Sequence, residues 1–147
     1  MLILNIVTTV CISLMIGTEF AVSTFINPVL WKLDDRTQMN AVRMFAARLG
    51  FVMPFWYGLG LLLLLAETVA LRHQPGVVLL SIASGIWVLV IVLTMLFLVP
   101  INNQLARLEP GSATVSAQRD HHKWDRLHRL RVLALSASMV LFLVVVL

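Results

Sequence analysis

Charged residues are scarce in this chain of 147 residues. They make up 12% of it, whereas 60% of the residues are hydrophobic. Soluble domains average about 25% charged residues. The deficit and the long uncharged runs exclude an ordinary soluble domain and place the chain in a lipid bilayer.

Cysteine is almost absent. Cys11 is the only one and lies within an apolar run, where we expect it to pack. A single cysteine excludes an internal disulfide framework and a cysteine-based metal site. The histidines also lack the HExxH spacing of zinc proteases.

Acidic residues are fewer than basic ones, and the formal net charge is +4. The basic residues flank apolar segments, a position in which arginine and lysine face anionic lipid headgroups. We therefore expect the lipid bilayer, and no nucleic acid, as the partner of these charges.

Four stretches are long enough to cross about 30 Å of hydrocarbon at about 1.5 Å per residue. They cover approximately residues 2–26, 49–71, 77–101 and 127–147. The predicted fold is all-α: a four-transmembrane-helix bundle forming one integral membrane domain over residues 1–147. The segment "TQMNAVRMFAARLG" predicts an additional short amphipathic helix at the membrane interface. Oligomerisation stays open.

The basic residues also predict an orientation. Four spans put both long connections on one side of the membrane, and that side holds ten of the eleven basic residues. Because cytoplasmic loops are enriched in lysine and arginine, we expect the long connections in the cytoplasm and both termini outside.

Glu19 is the most informative residue of the first span. It lies about two turns inside the helix end, where an unpaired ionised carboxylate is costly. Asn5 and Asn27 share its helical face, so this stripe should point into the bundle. Two interpretations stay open: a structural salt bridge to Arg48 or Arg131, or a role as base, metal ligand or substrate contact.

The segment "RDHHKWDRLHRLR" at residues 119–131 holds three of the four histidines. His121, Trp124, His128 and Arg131 are three, four and three residues apart, which places them on one helical face. Tryptophan and arginine commonly anchor helices at the membrane interface. His128 lies deeper, which favours a place for its imidazole at the mouth of the bundle.

Two ion pairs are predicted away from this face. Asp125 and Arg129 are four residues apart on another face of the helix and should form a solvated pair. Glu67 lies near the opposite membrane side, where Arg72 and His73 are its expected local partners.

Glu19 and His128 are expected on the same membrane side as Asn102 and Asn103. A carboxylate, imidazoles and amides at one helical mouth suit either proton transfer or a His/carboxylate metal site. In the metal interpretation the ligands are Glu19, His121 and His128. The cofactor is unknown, and both no cofactor and a transition metal stay open.

Three short motifs carry a family resemblance: "GTEF" at 17–20, "NNQL" at 102–105 and "WDRLHRLR" at 124–131. Together with the four spans, they make the whole chain resemble a small integral membrane family that includes the anthrone oxygenases of polyketide pathways. The resemblance implies a four-helix membrane protein whose characterised relatives oxidise planar polycyclic aromatics with dioxygen. Many bacterial members of this family have no known function.

The chemistry of an anthrone suggests roles for these residues. Its acidic methylene gives a delocalised anion that reacts with dioxygen, so an enzyme must bind the ring, remove the proton and stabilise the oxyanion. The catalytic candidates are Glu19, His128 and Arg131. The substrate-binding candidates are Trp31, Arg48, Asn102, Asn103 and Trp124.

We therefore predict an oxidoreductase or oxygenase that acts on a lipophilic aromatic or quinone-like molecule. The alternative is a non-enzymatic membrane subunit for small-molecule binding, transport or complex assembly. An enzyme requires Glu19 and His128 to converge on a cavity. A scaffold predicts an arginine closing off Glu19, and a transporter requires a polar path from Glu19 to Glu67.

Overall fold

Four long helices form the protein in a computed structural model that describes residues 1–147. They are Leu2–Leu30, Asp35–Ala70, Val77–Ala106 and Val115–Val146, here called the first to fourth helices. Each is long and apolar enough to cross a membrane, and there are no strands. The predicted all-α bundle is confirmed, and the chain is a multi-pass membrane protein.

The second and fourth helices extend beyond their predicted spans on the side of the long connections. The amphipathic segment is helical, but it runs without a break into the second span and forms no separate helix. No proline or turn sequence separates the two parts. At the start of this helix, hydrogen bonding from Thr37 lowers the pKa of the Asp34 carboxyl. Thr114 caps the fourth helix by accepting a hydrogen bond from the Ala117 N–H (3.2 Å).

The first and third helices share an interruption near the same membrane side. Each contains a five-residue π-helical turn, Val22–Ile26 in the first and Thr94–Leu98 in the third. Each turn is followed by a proline, Pro28 or Pro100, two residues later. Proline lacks the N–H that a regular helix needs, and π turns and prolines are the usual causes of helix kinks.

An apolar core joins all four helices in the middle of the bundle. Its fully buried members come from every helix and include Met15, Leu64, Trp87 and Phe142. Gly60 lies directly against Trp87, so that an added Cβ would be 2.6 Å from the indole ring. Small residues permit such close helix packing in lipid, where the hydrophobic effect between helices is absent.

Glu67 lies near the opposite end of the bundle from the long connections and is fully buried. The expected ion pair with Arg72 or His73 is absent, and Arg72 Nε instead donates to His73 Nε2 (3.0 Å). Glu67 instead faces Asn5 on the first helix. The Asn5 amide satisfies its neighbours when its nitrogen faces Met1 and Glu67. In that orientation it donates to the Met1 backbone oxygen (3.0 Å) and to Glu67 Oε2 (3.2 Å).

Candidate functional site

A cavity of about 380 Å³ lies between the helices, toward the side of the long connections. This volume falls within the approximately 300–1,000 Å³ typical of small-molecule sites. Its wall is largely apolar, and four of its polar residues form one hydrogen-bonded group, here called the Glu19 cluster. The members of the Glu19 cluster are Glu19, Tyr57, His128 and Arg131.

Glu19 is at the centre of the cluster and is 2% exposed. Tyr57 Oη donates to Glu19 Oε1 (3.0 Å), and Arg131 Nη2 donates to Glu19 Oε2 (2.7 Å). The Arg131 guanidinium carbon also lies 5.4 Å from the centre of the Tyr57 ring. Because an ionised carboxylate is stable in an apolar interior only when it is paired, Arg131 and Tyr57 together explain how Glu19 is accommodated there.

His128 is held by Glu19 through both ring nitrogens. His128 Nε2 is 3.0 Å from the Glu19 backbone oxygen. A carbonyl oxygen only accepts, so Nε2 carries a hydrogen. His128 Nδ1 lies 3.0 Å from Glu19 Oε2 and 2.9 Å from Arg131 Nη2. With the hydrogen on Nε2, Nδ1 of the neutral imidazole is an acceptor and takes a hydrogen bond from Arg131 Nη2.

The fourth helix presents these groups on a single buried face. His121, Asp125 and His128 are buried on it, at steps of four and three residues. Trp124 is half-buried, and its ring stacks on His128 with centroids 4.6 Å apart and planes 11° apart. Trp124 also lines the cavity, where it presents an aromatic wall beside the Glu19 cluster. His121, Trp124 and His128 share the face that the spacing predicted, whereas Asp125 was expected on another face.

A second polar contact ties the first helix to the fourth about one turn from His128. Asn27 Nδ2 donates to Asp125 Oδ1 (2.7 Å), and both side chains are buried. The predicted Asp125–Arg129 pair forms (3.0 Å), but only the Arg129 side chain is exposed. The expectation that this pair is solvated is wrong for Asp125, because Asn27 draws the carboxylate into the bundle.

The amides predicted to contact substrate lie at the cavity. Asn102 and Asn103 both line it near the end of the third helix. Asn102 Nδ2 also donates to the Ala46 backbone oxygen (2.9 Å) and so fastens the third helix to the second. Only part of the Asn102 amide is therefore available to a ligand.

Two other residues predicted to bind substrate lie away from the cavity wall. Trp31, beyond the end of the first helix, stacks on His121 (4.2 Å between centroids) and His122 (4.0 Å). Arg48 is exposed on the second helix and makes no side-chain hydrogen bond or ion pair. Neither residue lines the cavity. Trp31 is engaged by the two imidazoles, and Arg48 lies on the outer side of its helix.

The proposed metal ligands are only partly brought together. Glu19 and His128 are adjacent, but His121 lies about two turns away along the helix, with its Nδ1 3.4 Å from Gln38 Nε2. No group of three or more histidine, cysteine, aspartate or glutamate side chains is placed to hold a metal ion. The Arg131 guanidinium also occupies the Glu19 oxygen that faces His128, and its charge would repel a cation. The donor set does not fit a metal.

Tyr57 completes the Glu19 cluster, and the sequence does not predict its contact with Glu19. Its hydroxyl reaches Glu19 across 38 positions of sequence. It is the only tyrosine in the chain, and it lies inside an apolar span three residues after Pro54. A phenol in such a position needs a hydrogen-bond partner when it is buried, which is the one signal that could have indicated it.

The four membrane-spanning helices and the carboxylate–arginine–histidine cluster beside an apolar cavity define an integral membrane protein with a candidate site for a small molecule. Comparison with known families is more specific. The model of the anthrone oxygenase family matches residues 51–141, and the chain belongs to this family. The matched segment includes Tyr57, His128 and Arg131 and begins after the first helix, which carries Glu19. No curated protein and no solved structure has significant similarity to the chain.

Proposed function

We propose that the protein is a membrane oxidoreductase that oxidises a lipophilic, planar aromatic molecule with an acidic C–H bond, of the anthrone type. The observation that carries this proposal is the buried Glu19–Arg131 ion pair at the wall of an apolar cavity. An apolar cavity of this size suits a fused-ring substrate. The ion pair supplies a base for the proton and a cation for the developing negative charge.

Glu19 is the base in this proposal. Both ring nitrogens of His128 already face Glu19 atoms, whereas Glu19 Oε1 has Tyr57 as its one partner. A carboxylate oxygen has two lone pairs, so Oε1 retains one for the substrate. His128 donates to the Glu19 backbone oxygen, which holds the Glu19 main chain in position.

The ion pair makes proton removal possible without creating net charge in the apolar site. When Glu19 takes the proton, the Arg131 guanidinium loses its anionic partner at the moment that the substrate oxygen becomes an anion. One buried ion pair is thereby exchanged for another, and Arg131 stabilises the product of the step. Tyr57 donates a further hydrogen bond within the same group.

Dioxygen is the oxidant. The methylene proton moves to Glu19, and the C–H electron pair is delocalised onto the ring oxygen. Dioxygen then bonds to that carbon, takes two electrons and receives the proton from Glu19, which forms a hydroperoxide. Loss of water, with the second C–H hydrogen, leaves a new ring carbonyl. One dioxygen thus converts CH₂ to C=O and one water, and Glu19 is ionised again.

Oxygen uptake with anthrone in proteoliposomes tests the proposal. We expect the wild-type protein to consume one dioxygen per anthraquinone formed, above the protein-free rate. Glu19→Gln should lose about 100-fold or more of the protein-dependent rate, since a positioned proton-transfer group contributes about 10²–10⁴-fold. Protein-dependent oxidation that is equally fast in Glu19→Gln would refute the role of Glu19. A wild-type rate equal to the protein-free rate would refute the oxidase proposal.

The competing function is a non-enzymatic subunit that binds or transports a small molecule or assembles a complex. This function is supported by the ion pair between Arg131 and Glu19 Oε2, which is the contact expected if Glu19 has only a structural role. A polar path for transport is not evident, because Met15, Leu64 and Trp87 fill the core between Glu19 and Glu67. Binding of anthraquinone without any protein-dependent oxygen uptake would favour a binding subunit.

A further inference from the structure

Three side-chain hydrogen bonds join the second and third helices. The one between Thr68 and Ser84 lies farthest from the long connections, and the other two lie at two levels nearer to them. At one level Trp87 Nε1 donates to the Tyr57 backbone oxygen (3.0 Å). At the other, Asn102 Nδ2 donates to the Ala46 backbone oxygen (2.9 Å). Tyr57 and Ala46 are 11 positions apart, which corresponds to about 16 Å along the helix. Between these two levels no hydrogen bond joins the second helix to the third, so the two helices can separate there.

Small or ring-shaped residues line the cavity along this stretch of the second helix and one position beyond it. Gly50, Pro54 and Gly58 are four residues apart, lie on one side of the helix, and all line the cavity. Because Pro54 has no N–H, the Gly50 carbonyl has no regular helical partner, and the helix is weakened there. Gly58 has no atom within 4 Å of the position that a Cβ would occupy.

The third helix faces this stretch with its π-helical turn. Met95 and Val99 line the cavity and are also exposed on the outside, by 65% and 37%. A residue that borders the cavity and the outer surface of a bundle marks an opening between them. Met95 is seven residues from Asn102, so the opening reaches about 10 Å into the apolar part of the helix. At that depth the outer surface contacts lipid acyl chains.

We propose that the substrate reaches the Glu19 cluster sideways from the bilayer, through this gap between the second and third helices, and that Gly58 keeps the gap open. The gap is bordered by Gly50, Pro54, Gly58, Met95 and Val99. The inference rests on the proposed function for its class of substrate, and it adds the route and the residue that controls it. A lipophilic ring system is concentrated in the bilayer, so a lateral gap gives it direct access without passage through water.

Binding kinetics of anthraquinone in phosphatidylcholine proteoliposomes test this route. Quenching of tryptophan fluorescence by the bound ligand reports binding. If the quenching disappears in Trp124→Phe, the ligand is bound in the cavity that Trp124 lines. Gly58→Leu fills the gap. Gly85→Leu is the matched control, because Gly85 also has no atom within 4 Å of a Cβ position, is exposed on the third helix, and does not line the cavity.

A residue that narrows a route slows arrival and departure together. We expect Gly58→Leu to lower the association and dissociation rates each by about tenfold or more while Kd stays within about threefold. Gly85→Leu should retain both wild-type rates. Met95→Phe narrows the gap from the other helix at an exposed position without adding a tryptophan, and it should reproduce the effect if Gly58→Leu fails to fold.

Each other outcome contradicts the route. Wild-type rates in both Gly58→Leu and Met95→Phe would overturn it and leave the proposed function intact. A weaker Kd with an unchanged association rate would make Gly58 a wall of the binding site and would also overturn the route. Absence of quenching in the wild-type protein would instead refute the class of ligand in the proposed function, and this inference with it.

Discussion

Glu19 and Glu67 are two buried carboxylates in one bundle, in different surroundings. Glu19 is paired with Arg131, contacted by His128 and Tyr57, and borders a cavity. Glu67 is fully buried, has no cationic partner and faces the Asn5 amide. Tyr57 and Glu67 are ten positions apart, so the two carboxylates differ in depth by about 15 Å.

The difference separates two uses of a buried acid. A carboxylate beside a cation and an open space can exchange a proton with a ligand, because the cation remains to balance the new charge. A carboxylate packed between helices without a cation serves as a hydrogen-bonding group between them. Burial alone therefore does not point to a base in this protein, whereas burial together with a charge partner and a cavity supports the proposal that Glu19 is the base.

The largest effect is expected from removal of the cation at Glu19. Arg131→Met leaves that carboxylate buried without its partner, which costs about 3–5 kcal/mol when a buried ion pair is broken. Both thermal stability in detergent and anthrone oxidation should fall. The double variant Glu19→Gln/Arg131→Met is the control: it removes both charges and should regain stability without regaining activity. A single variant as stable as the wild type would show that the pair is not buried as described.

A smaller effect is expected at His128. His128→Asn retains an amide donor for the Glu19 backbone oxygen but removes the Nδ1 acceptor for Arg131 and the ring on which Trp124 stacks, so that both groups lose their positions beside Glu19. We expect about a 10–100-fold lower oxidation rate, less than for loss of the base itself. The matched control is His122→Asn, at an exposed histidine of the same helix outside the cavity. Equal losses in both variants would exclude a specific role for His128.

The smallest effect is expected at the other carboxylate. Glu67→Gln keeps the shape of the side chain and its hydrogen-bonding capacity toward Asn5, and no cation is left unpaired. Oxidation rate and thermal stability should both stay close to wild type. A loss of activity comparable to that of Glu19→Gln would mean that Glu67 takes part in the reaction or in a path leading to it.

Periodicity predicted the bundle and part of the candidate site. The hydropathy of the chain predicts four membrane helices, and steps of three and four residues predict that His121, Trp124, His128 and Arg131 share a face. The depth of Glu19 in an apolar helix predicts that it needs a partner. These features are local, because each depends on residues within a few turns of one helix.

The remaining features depend on how separate helices meet. The Tyr57–Glu19 and Asn27–Asp125 contacts join residues 38 and 98 positions apart, and no local pattern specifies such registers. Arg48 and Arg131 were equally plausible partners of Glu19 by composition, and only the rotation of each helix decides between them. The gap beside Gly58 likewise depends on the packing of separate helices, because it lies between the two hydrogen bonds that Trp87 and Asn102 of the third helix donate to the second helix.

The most direct test is to compare anthrone oxidation by the wild type, Glu19→Gln and Glu67→Gln under identical conditions. Both variants replace a buried carboxylate with its amide. They differ in where the carboxylate lies and in the Arg131 guanidinium, which is paired only with Glu19. The account predicts that Glu19→Gln falls to the protein-free rate and that Glu67→Gln oxidises anthrone at the wild-type rate. Equal rates in the two variants would contradict the assignment of the base to the Glu19 cluster.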